Sequence, residues 1–308
     1  MTRSSIQWYP GHMHKARKEI AEVMPQMDLI IEVLDARIPY SSENPMISEL
    51  RGDTPCIKIL NKSDLADPII TAQWLEYLEL EEGVKAYAFT TQEVHEIKKI
   101  PALARQLVPN KEGADKVIKA MIMGIPNVGK STTINILANR IIAKTGNEPA
   151  VTKQQQRIKL DNGIVLSDTP GMLWPKVQNP LSGYRLASTG AIKDTAIEYD
   201  DIGMYAAEYM CKAYPEAMRA RYKLDNLDKS DLELLEDIGR GRGCLGPGGF
   251  VDLNKAAAIL INELRTAKIC RLSLETPAMA EAEKQAVIER LALEGEKKKK
   301  RKPKKKRR

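Results

Sequence analysis

Four short motifs in this sequence carry residue types that can bind a nucleoside triphosphate and a metal ion. The most specific one spans residues 124–131, GIPNVGKS, and matches the phosphate-loop pattern G-x-x-x-x-G-K-[ST]. Its glycines allow backbone N–H groups to approach phosphate oxygens, and its lysine supplies positive charge to the β- and γ-phosphates. The predicted nucleotide contacts of this loop are Asn127, Val128, Gly129, Lys130, Ser131 and Thr132.

The second motif can read a guanine base. Residues 61–64, NKSD, follow an apolar run at residues 56–60. The Asp64 carboxylate can accept hydrogen bonds from the N1–H and 2-amino groups of guanine, a pair of donors that adenine does not offer. The stem of Lys62 can cover the base, and Asn61 can tie this loop to the phosphate loop. Together with the phosphate loop, the motif favours GTP over ATP.

The other two motifs can hold Mg²⁺ and sense the γ-phosphate. Asp168 ends an apolar run and begins the pattern D-x-x-G, so its carboxylate can hold Mg²⁺ through water while Gly171 offers its N–H to the γ-phosphate. Thr152 precedes Asp168 at the place where a switch threonine closes on metal and phosphate. A solvated loop threonine is the open alternative. The predicted metal ligands are Ser131, Thr152 and Asp168.

The motifs stand in a rotated order. In an ordinary GTPase the phosphate loop comes first and the base-reading motif last, whereas here residues 61–64 precede residues 124–131. A helix predicted at residues 11–24 precedes a strand predicted at residues 29–34. We expect this helix to take the position that follows the second switch in an ordinary GTPase. That position would start His12 near the γ-phosphate.

A phosphate loop binds phosphate only when a strand leads into it and a helix follows it. The sequence provides an apolar strand at residues 117–123 and a helix at residues 130–139, whose N-terminus would face the phosphates. Beyond Gly171 the chain runs directly into a region of helices and loops. We therefore expect a switch movement between GTP and GDP to pull on that region.

With these motifs in this order, the chain resembles the circularly permuted GTPases of the ribosome-biogenesis GTPase A family, which are bacterial large-subunit assembly factors. The resemblance runs from about Gln7 to about Pro277 and also rests on residues 8–13, 35–39 and 242–252. It implies an α/β fold, a permuted P-loop GTPase domain with a mostly parallel sheet, then a smaller all-helical domain. The expected boundaries are 1–177 for the GTPase domain, 178–290 for the helical RNA- or ribosome-binding domain, and 291–308 for a disordered basic tail.

The resemblance also implies how GTP is hydrolysed. Many GTPases orient the attacking water with a glutamine after the D-x-x-G glycine, but Met172 stands here and its thioether cannot do so. The family's displaced catalytic histidine maps onto His12, which joins Lys130 and Thr152 in the expected catalytic set. The alternative is that His12 only caps or packs its helix.

Two further nucleotide contacts follow from the resemblance. The amide oxygen of Asn127 is expected to help bind K⁺ beside the phosphates, where a fixed cation does the electrostatic work of an arginine finger. A hydrogen bond that only stiffens the loop is the alternative. The base-contacting segment, usually Ser-Ala-like, reads FTT at residues 89–91, which makes Thr90 its candidate residue.

The charge distribution indicates a polyanionic partner. Residues 297–308 contain eleven Lys or Arg and no acid, so 37 of the 48 basic residues remain against 41 acidic ones in the rest of the chain. A tail of this composition is expected to be disordered until it binds RNA. A solubility tail is the alternative reading.

Three functional classes are compatible with these residues. The first is a monomeric, cytoplasmic GTPase that binds a precursor of the large ribosomal subunit, through rRNA and ribosomal proteins, and leaves after hydrolysis. The second is a membrane-surface or signalling GTPase whose tail binds anionic lipid, which the lack of a C-terminal lipidation cysteine disfavours. The third is an ATPase or nucleotide kinase, which Asp64 disfavours. The expected cofactors are GTP or GDP, Mg²⁺ and K⁺, and no membrane span is expected.

Overall fold

The computed structural model describes residues 6–111, 117–143, 156–160, 163–175 and 177–301, and the side chains of His12 and residues 295–301 lie outside this description. The strands are β1 (Leu29–Asp35), β2 (Cys56–Asn61), β3 (Val84–Ala88), β4 (Ile118–Gly124), β5 (Gln156–Lys159) and β6 (Ile164–Asp168). The α-helices are α1 (Gly11–Val23), α2 (Pro39–Ser42), α3 (Pro45–Arg51), α4 (Pro68–Leu78), α5 (Val94–Ile97), α6 (Ile100–Leu107), α7 (Lys130–Leu137), α8 (Pro180–Ser188), α9 (Tyr199–Ala213), α10 (Pro215–Tyr222), α11 (Asp231–Gly241), α12 (Leu253–Arg265) and α13 (Pro277–Arg301).

The six described strands form one mostly parallel sheet in the order β3-β2-β1-β4-β6-β5. Only β5 runs antiparallel to its neighbour. Because parallel strands end at the same edge of a sheet, the motif residues that follow β1, β2, β4 and β6 come together there. In the strand register, Asp35 of β1 lies opposite Asn61 of β2. Asp168 of β6 lies opposite Ile122 of β4, which stands two residues before Gly124. The predicted α/β fold with rotated motif order is therefore confirmed.

The central strands are buried apolar runs, as strands covered on both faces must be. Every residue of β1 and β2 is buried. The observed strands match the predicted ones to within one residue. Helix α7 ends at Leu137, two residues earlier than predicted, and Asn139 shortly after it has a φ of 51°, which a continuing helix does not allow.

Glu32 is a buried carboxylic acid in the middle of β1. Its Oε1 accepts a hydrogen bond from the Asn44 backbone N–H at 3.1 Å, while its Oε2 has no partner among the described residues. Nearby Lys58 already pairs with Glu43 at 2.6 Å and Glu81 at 2.7 Å. Burial, with the charge of Glu43 beside it, raises the pKa of Glu32 to about 8.

Replacing Glu32 with glutamine is expected to remove a loss of stability that occurs as pH rises through neutrality. The folded state keeps a proton that the unfolded state releases, so the free energy of unfolding falls as pH rises from about 4.5 to about 8, by up to about 1.4 kcal/mol per pH unit. Glutamine keeps the neutral acceptor for Asn44 and has no such proton. Urea unfolding at about pH 6 and about pH 8.5 measures the difference. The exposed Glu49→Gln variant is the control, and equal pH slopes in the Glu32→Gln and unsubstituted proteins would contradict this prediction.

Helices α8 to α12 form the helical unit that the sequence predicts after the sheet. Helix α9 packs against α8, α10, α11 and α12. Its buried face includes Ile202, Tyr205, Ala206 and Met210. Asp252 caps α12, since its side chain accepts a hydrogen bond from the Lys255 backbone N–H at 3.0 Å.

After α12 the chain returns to the sheet domain. Trp74 of α4 is fully buried, packs in one cluster with Ala280 of α13, and donates its indole N–H to the Glu275 carbonyl at 3.2 Å. Helix α13 then continues to Arg301, past the expected boundary at residue 290 and through residues 291–301, where disorder was predicted. Lysine, arginine and glutamate favour helix, and a helix already started on α4 extends readily. Residues 302–308 lie outside the described chain.

Candidate functional site

The phosphate loop (residues 124–131) joins β4 to α7 in a conformation that needs its glycines. Gly129 caps α7 with a φ of 95°, and Asn127 has a φ of 58°. A Cβ atom on Gly124 would lie 2.5 Å from the Val33 carbonyl oxygen. The loop therefore enters α7 at the helix N-terminus, where the first backbone N–H groups have no acceptor within the helix, which is the arrangement that binds anions.

Lys130 and Asp168 meet beneath this loop. The Lys130 ammonium lies 2.9 Å from Asp168 Oδ1, and both side chains are buried. The other carboxylate oxygen, Oδ2, is buried and has no hydrogen-bond partner in the described chain. An unpartnered buried carboxylate oxygen and the hydroxyl of Ser131, the residue after Lys130 in the sequence, are oxygen donors of the kind that fit Mg²⁺. The third predicted ligand, Thr152, lies outside the described residues.

The D-x-x-G segment is held against the phosphate loop. The Met172 backbone N–H donates to the Gly124 carbonyl at 3.1 Å. A Cβ on Gly171 would approach the Pro126 Cα to 3.0 Å, so a larger residue would push the two loops apart. The backbone of Gly171 thus lies next to the loop that would carry the phosphates, as its predicted role requires.

Asn61 ties the base loop (residues 61–66) to the phosphate loop, as predicted. Its side-chain amide donates to the Val128 carbonyl at 2.6 Å. A Cβ on Gly129 would lie only 2.1 Å from the Asn61 amide nitrogen, so this close approach, as well as the positive φ, requires glycine. Two motifs far apart in sequence are therefore locked together.

Lys62 is fixed by a buried carboxylate that sequence reasoning assigned no role. Its ammonium lies 2.9 Å from Asp35 Oδ2, and the Arg37 guanidinium bonds both oxygens of the same carboxylate at 2.9 and 2.7 Å. Burial alone would raise the pKa of Asp35, but the charges of Arg37 and Lys62 hold it well below its usual range. In the sequence, an acid and an arginine at residues 35 and 37, directly after the mostly apolar run 29–34, could have indicated this anchor.

The remaining base-site residues are gathered at the same place. Asp64 is partly exposed on the base loop. The Ser63 backbone N–H donates to the Phe89 carbonyl at 3.5 Å, which brings residues 89–91 beside that loop. Thr90 is nearly buried there. The structure thus joins the predicted base-contacting segment to the base loop, and the contacts of Asp64 and Thr90 with guanine stay predictions.

Asn127 forms a hydrogen bond, as one of the two alternatives for it predicted, but its partner lies outside the phosphate loop. Its side-chain amide nitrogen donates to the Gly190 carbonyl at 2.8 Å, and Gly190 follows α8 in the helical unit. The bond therefore stiffens the loop by attaching it to the second domain. Its amide oxygen is the atom that K⁺ would need, and that role stays a prediction.

His12 lies in the first turn of α1. Met13, Ala16 and Ile20 of this helix are buried in the main core. The Met13 backbone N–H bonds the Pro10 carbonyl at 2.9 Å and fixes how the chain enters the helix. The backbone position of His12 is therefore set by packing, and its catalytic role stays a prediction because its side chain is outside the description.

Comparison with known proteins agrees with this architecture. A family model for 50S ribosome-binding GTPases matches residues 119–208, which begin in β4 and leave the earlier base motif outside the match. The ribosome biogenesis GTPase A of Priestia megaterium is 46% identical over 285 residues, covering 90% of this chain and 99% of that protein.

Solved structures support the same assignment. The GDP-bound structure of TM YlqF superposes with a TM-score of 0.62 at 26% identity, covering 84% of this chain and 99% of the other. The GNP-bound YlqF of T. maritima gives a TM-score of 0.58 at 25% identity, covering 85% and 98%. The chain is a guanine-nucleotide-binding GTPase and belongs to the ribosome biogenesis GTPase A family.

Proposed function

We propose that this GTPase binds a precursor of the large ribosomal subunit in its GTP state and is released after hydrolysis. The observation that carries the proposal is the 2.8 Å hydrogen bond from Asn127 in the phosphate loop to Gly190 in the helical domain. A domain attached to the nucleotide loop can change position with the nucleotide and so change its fit to a partner. Relatives named as ribosome biogenesis GTPases support a ribosomal particle as this partner.

The connector between Gly171 and α8 supplies the second mechanical link. Leu173 and Val177 are buried, and the Gln7 side chain bonds both the N–H and the carbonyl of Val177 at 3.0 Å. Asn179 then caps α8 by accepting from the Leu181 N–H at 3.1 Å. Because the connector is short and fastened at both ends, a shift of Gly171 toward the γ-phosphate would be passed to α8.

Each site residue has a proposed part in the reaction. Ser131, Thr152 and Asp168 would hold Mg²⁺, which supplies neutralisation of phosphate charge when bound. Lys130 would move from Asp168 toward the β- and γ-oxygens, and the Gly171 N–H would orient the γ-phosphate. His12 would position the attacking water, the part that Met172 cannot play.

Asn127 would assist by holding K⁺ with its amide oxygen while its amide nitrogen keeps the bond to Gly190. Turnover measured in equal concentrations of KCl and NaCl tests this assignment. We expect faster hydrolysis in K⁺, and equal rates would contradict it.

The C-terminal end of the protein would add affinity for RNA without sequence selection. Helix α13 runs to Arg301 and so includes the first part of segment 297–308, which carries eleven cations. Such charges bind phosphates through counterion release. Within the described chain no helix is both long and apolar enough to cross a bilayer. We propose a monomer that works in the cytoplasm on rRNA and ribosomal proteins.

Sedimentation with purified ribosomal subunits tests the proposal. We expect the full chain to travel with large subunits or their precursors when a non-hydrolysable GTP analogue is present, and to stay free with GDP. Small subunits and anionic vesicles are the controls for bulk RNA affinity and for the membrane alternative. Equal binding in both nucleotide states, or a preference for vesicles, would contradict it.

A further inference from the structure

The chain between α12 and α13 lies across the base loop. Arg271 donates from Nη2 to the Ser63 carbonyl and from Nε to the Ala66 carbonyl, each at 3.0 Å. The Leu272 backbone N–H donates to the Leu65 carbonyl, also at 3.0 Å. Three successive hydrogen bonds therefore join the helical domain to the segment that carries Asp64.

This contact is a packed one. Leu272 and Leu274 are fully buried, and the Leu274 N–H donates to the Arg37 carbonyl at 2.8 Å. The Tyr214 hydroxyl accepts from the Ser273 N–H at 2.8 Å and lies 3.3 Å from Asp67 Oδ2. Residues 271–274 thus contact both domains, so the backbone that carries the Arg271 side chain is fixed in position.

The two carbonyls that Arg271 binds stand on either side of Asp64. After Asn61, the last residue of β2, the base loop is not part of a helix or strand, and Lys62 within it has a φ of 62°. Inside the loop, the Leu65 and Ala66 backbone N–H groups donate to the Lys62 and Ser63 carbonyls at 3.0 and 3.3 Å, and the bonds from residues 271 and 272 add fixed partners from outside. A guanidinium presents N–H groups in a fixed planar fork, so two carbonyls bonded to it are held at a fixed spacing.

We propose that Arg271 is a positioning residue for guanine recognition. By fixing the carbonyls of Ser63 and Ala66, it sets the backbone that aims the Asp64 carboxylate at the N1–H and 2-amino groups. The inference rests on the proposed base-reading role of Asp64. It also means that part of the nucleotide selectivity of the GTPase domain is supplied by the helical domain.

Competition between GTP and ITP tests the proposal, because inosine lacks the 2-amino group and keeps only one of the two donors. In Arg271→Ala we expect the affinity for GTP to fall by about tenfold and that for ITP by about threefold, since GTP loses alignment of two charge-assisted hydrogen bonds. The preference for GTP over ITP should therefore fall about threefold. Arg271→Lys, with one point charge in place of the fork, should recover part of the loss.

Two controls separate this effect from others. Arg219 in the helical domain also bonds a carbonyl, that of Asp225 at 3.0 Å, and Arg219→Ala should leave the GTP preference unchanged. An Asp64→Asn variant in the same assay tests the base-reading role alone. If Asp64→Asn abolishes the preference but Arg271→Ala leaves it intact, or lowers the GTP and ITP affinities equally, the positioning role is wrong. If Asp64→Asn itself changes nothing, the base-reading assignment fails first.

Discussion

Replacing Asp64 with asparagine is expected to lower the affinity for GTP by ~10²–10⁴-fold and to create affinity for XTP. The carboxylate is expected to accept from two guanine donors, and each charge-assisted hydrogen bond contributes about 1.5–3 kcal/mol. An asparagine side chain would turn its NH₂ group toward the 2-amino group of guanine, where two donors repel. Xanthine carries an oxygen at that position, so the same NH₂ group would find an acceptor.

Fluorescent-nucleotide displacement with GTP, XTP and ATP measures this reversal. The matched control is Asp53→Asn, because Asp53 is an exposed acid outside the base loop. Its nucleotide preferences should be those of the unsubstituted protein. A retained preference of Asp64→Asn for GTP over XTP would show that another residue reads the base.

Replacing His12 with alanine is expected to reduce the rate of GTP hydrolysis by ~10²–10⁴-fold, the usual contribution of a positioned acid–base group. The affinity for GTP should change by less than about threefold, since the phosphates and base are held by other residues. Single-turnover hydrolysis and equilibrium binding measure the two quantities separately.

His14 offers a matched control within the same helix. It is exposed and lies edge-on to the Tyr9 ring at 4.6 Å, so His14→Ala removes an imidazole from α1 without reaching the phosphate loop. Its turnover should be normal. Normal turnover in His12→Ala would leave His12 with only the helix-packing role and would send the search for the water-positioning group elsewhere.

The parts of the site that lie within one short motif could be predicted from the sequence. The glycines of the phosphate loop, the strand before it and the tie from Asn61 all follow from short patterns, because each depends on neighbouring residues and one strand-to-loop geometry. The permuted order of strands also followed, since the two halves of an α/β sheet meet at the same edge whichever comes first in the chain.

Contacts between the two domains could not be predicted in this way. The bonds of Asn127 to Gly190 and of Arg271 to the base loop join positions 63 and more than 200 residues apart. No periodicity or spacing marks such a pair, because tertiary packing decides which surfaces meet. The helix through residues 291–301 was not predicted for another reason. The prediction of disorder rested on the charge of this segment, whereas extension of the helix depends on the packing of its first turns against α4.

The return of the chain to the sheet domain bears on how deletion experiments are interpreted. Deletion of all residues after 177 would expose Trp74, which is fully buried in the full chain. It would also remove the Glu275 carboxylate, which accepts a hydrogen bond from the Ser41 backbone N–H at 2.9 Å. A truncated fragment of this kind would lose solubility and nucleotide selectivity along with any RNA affinity. Loss of function of such a fragment in a cell would therefore reflect damage to the GTPase domain. Substitutions on the outer faces of α9 to α12 are a better way to separate RNA binding from nucleotide binding.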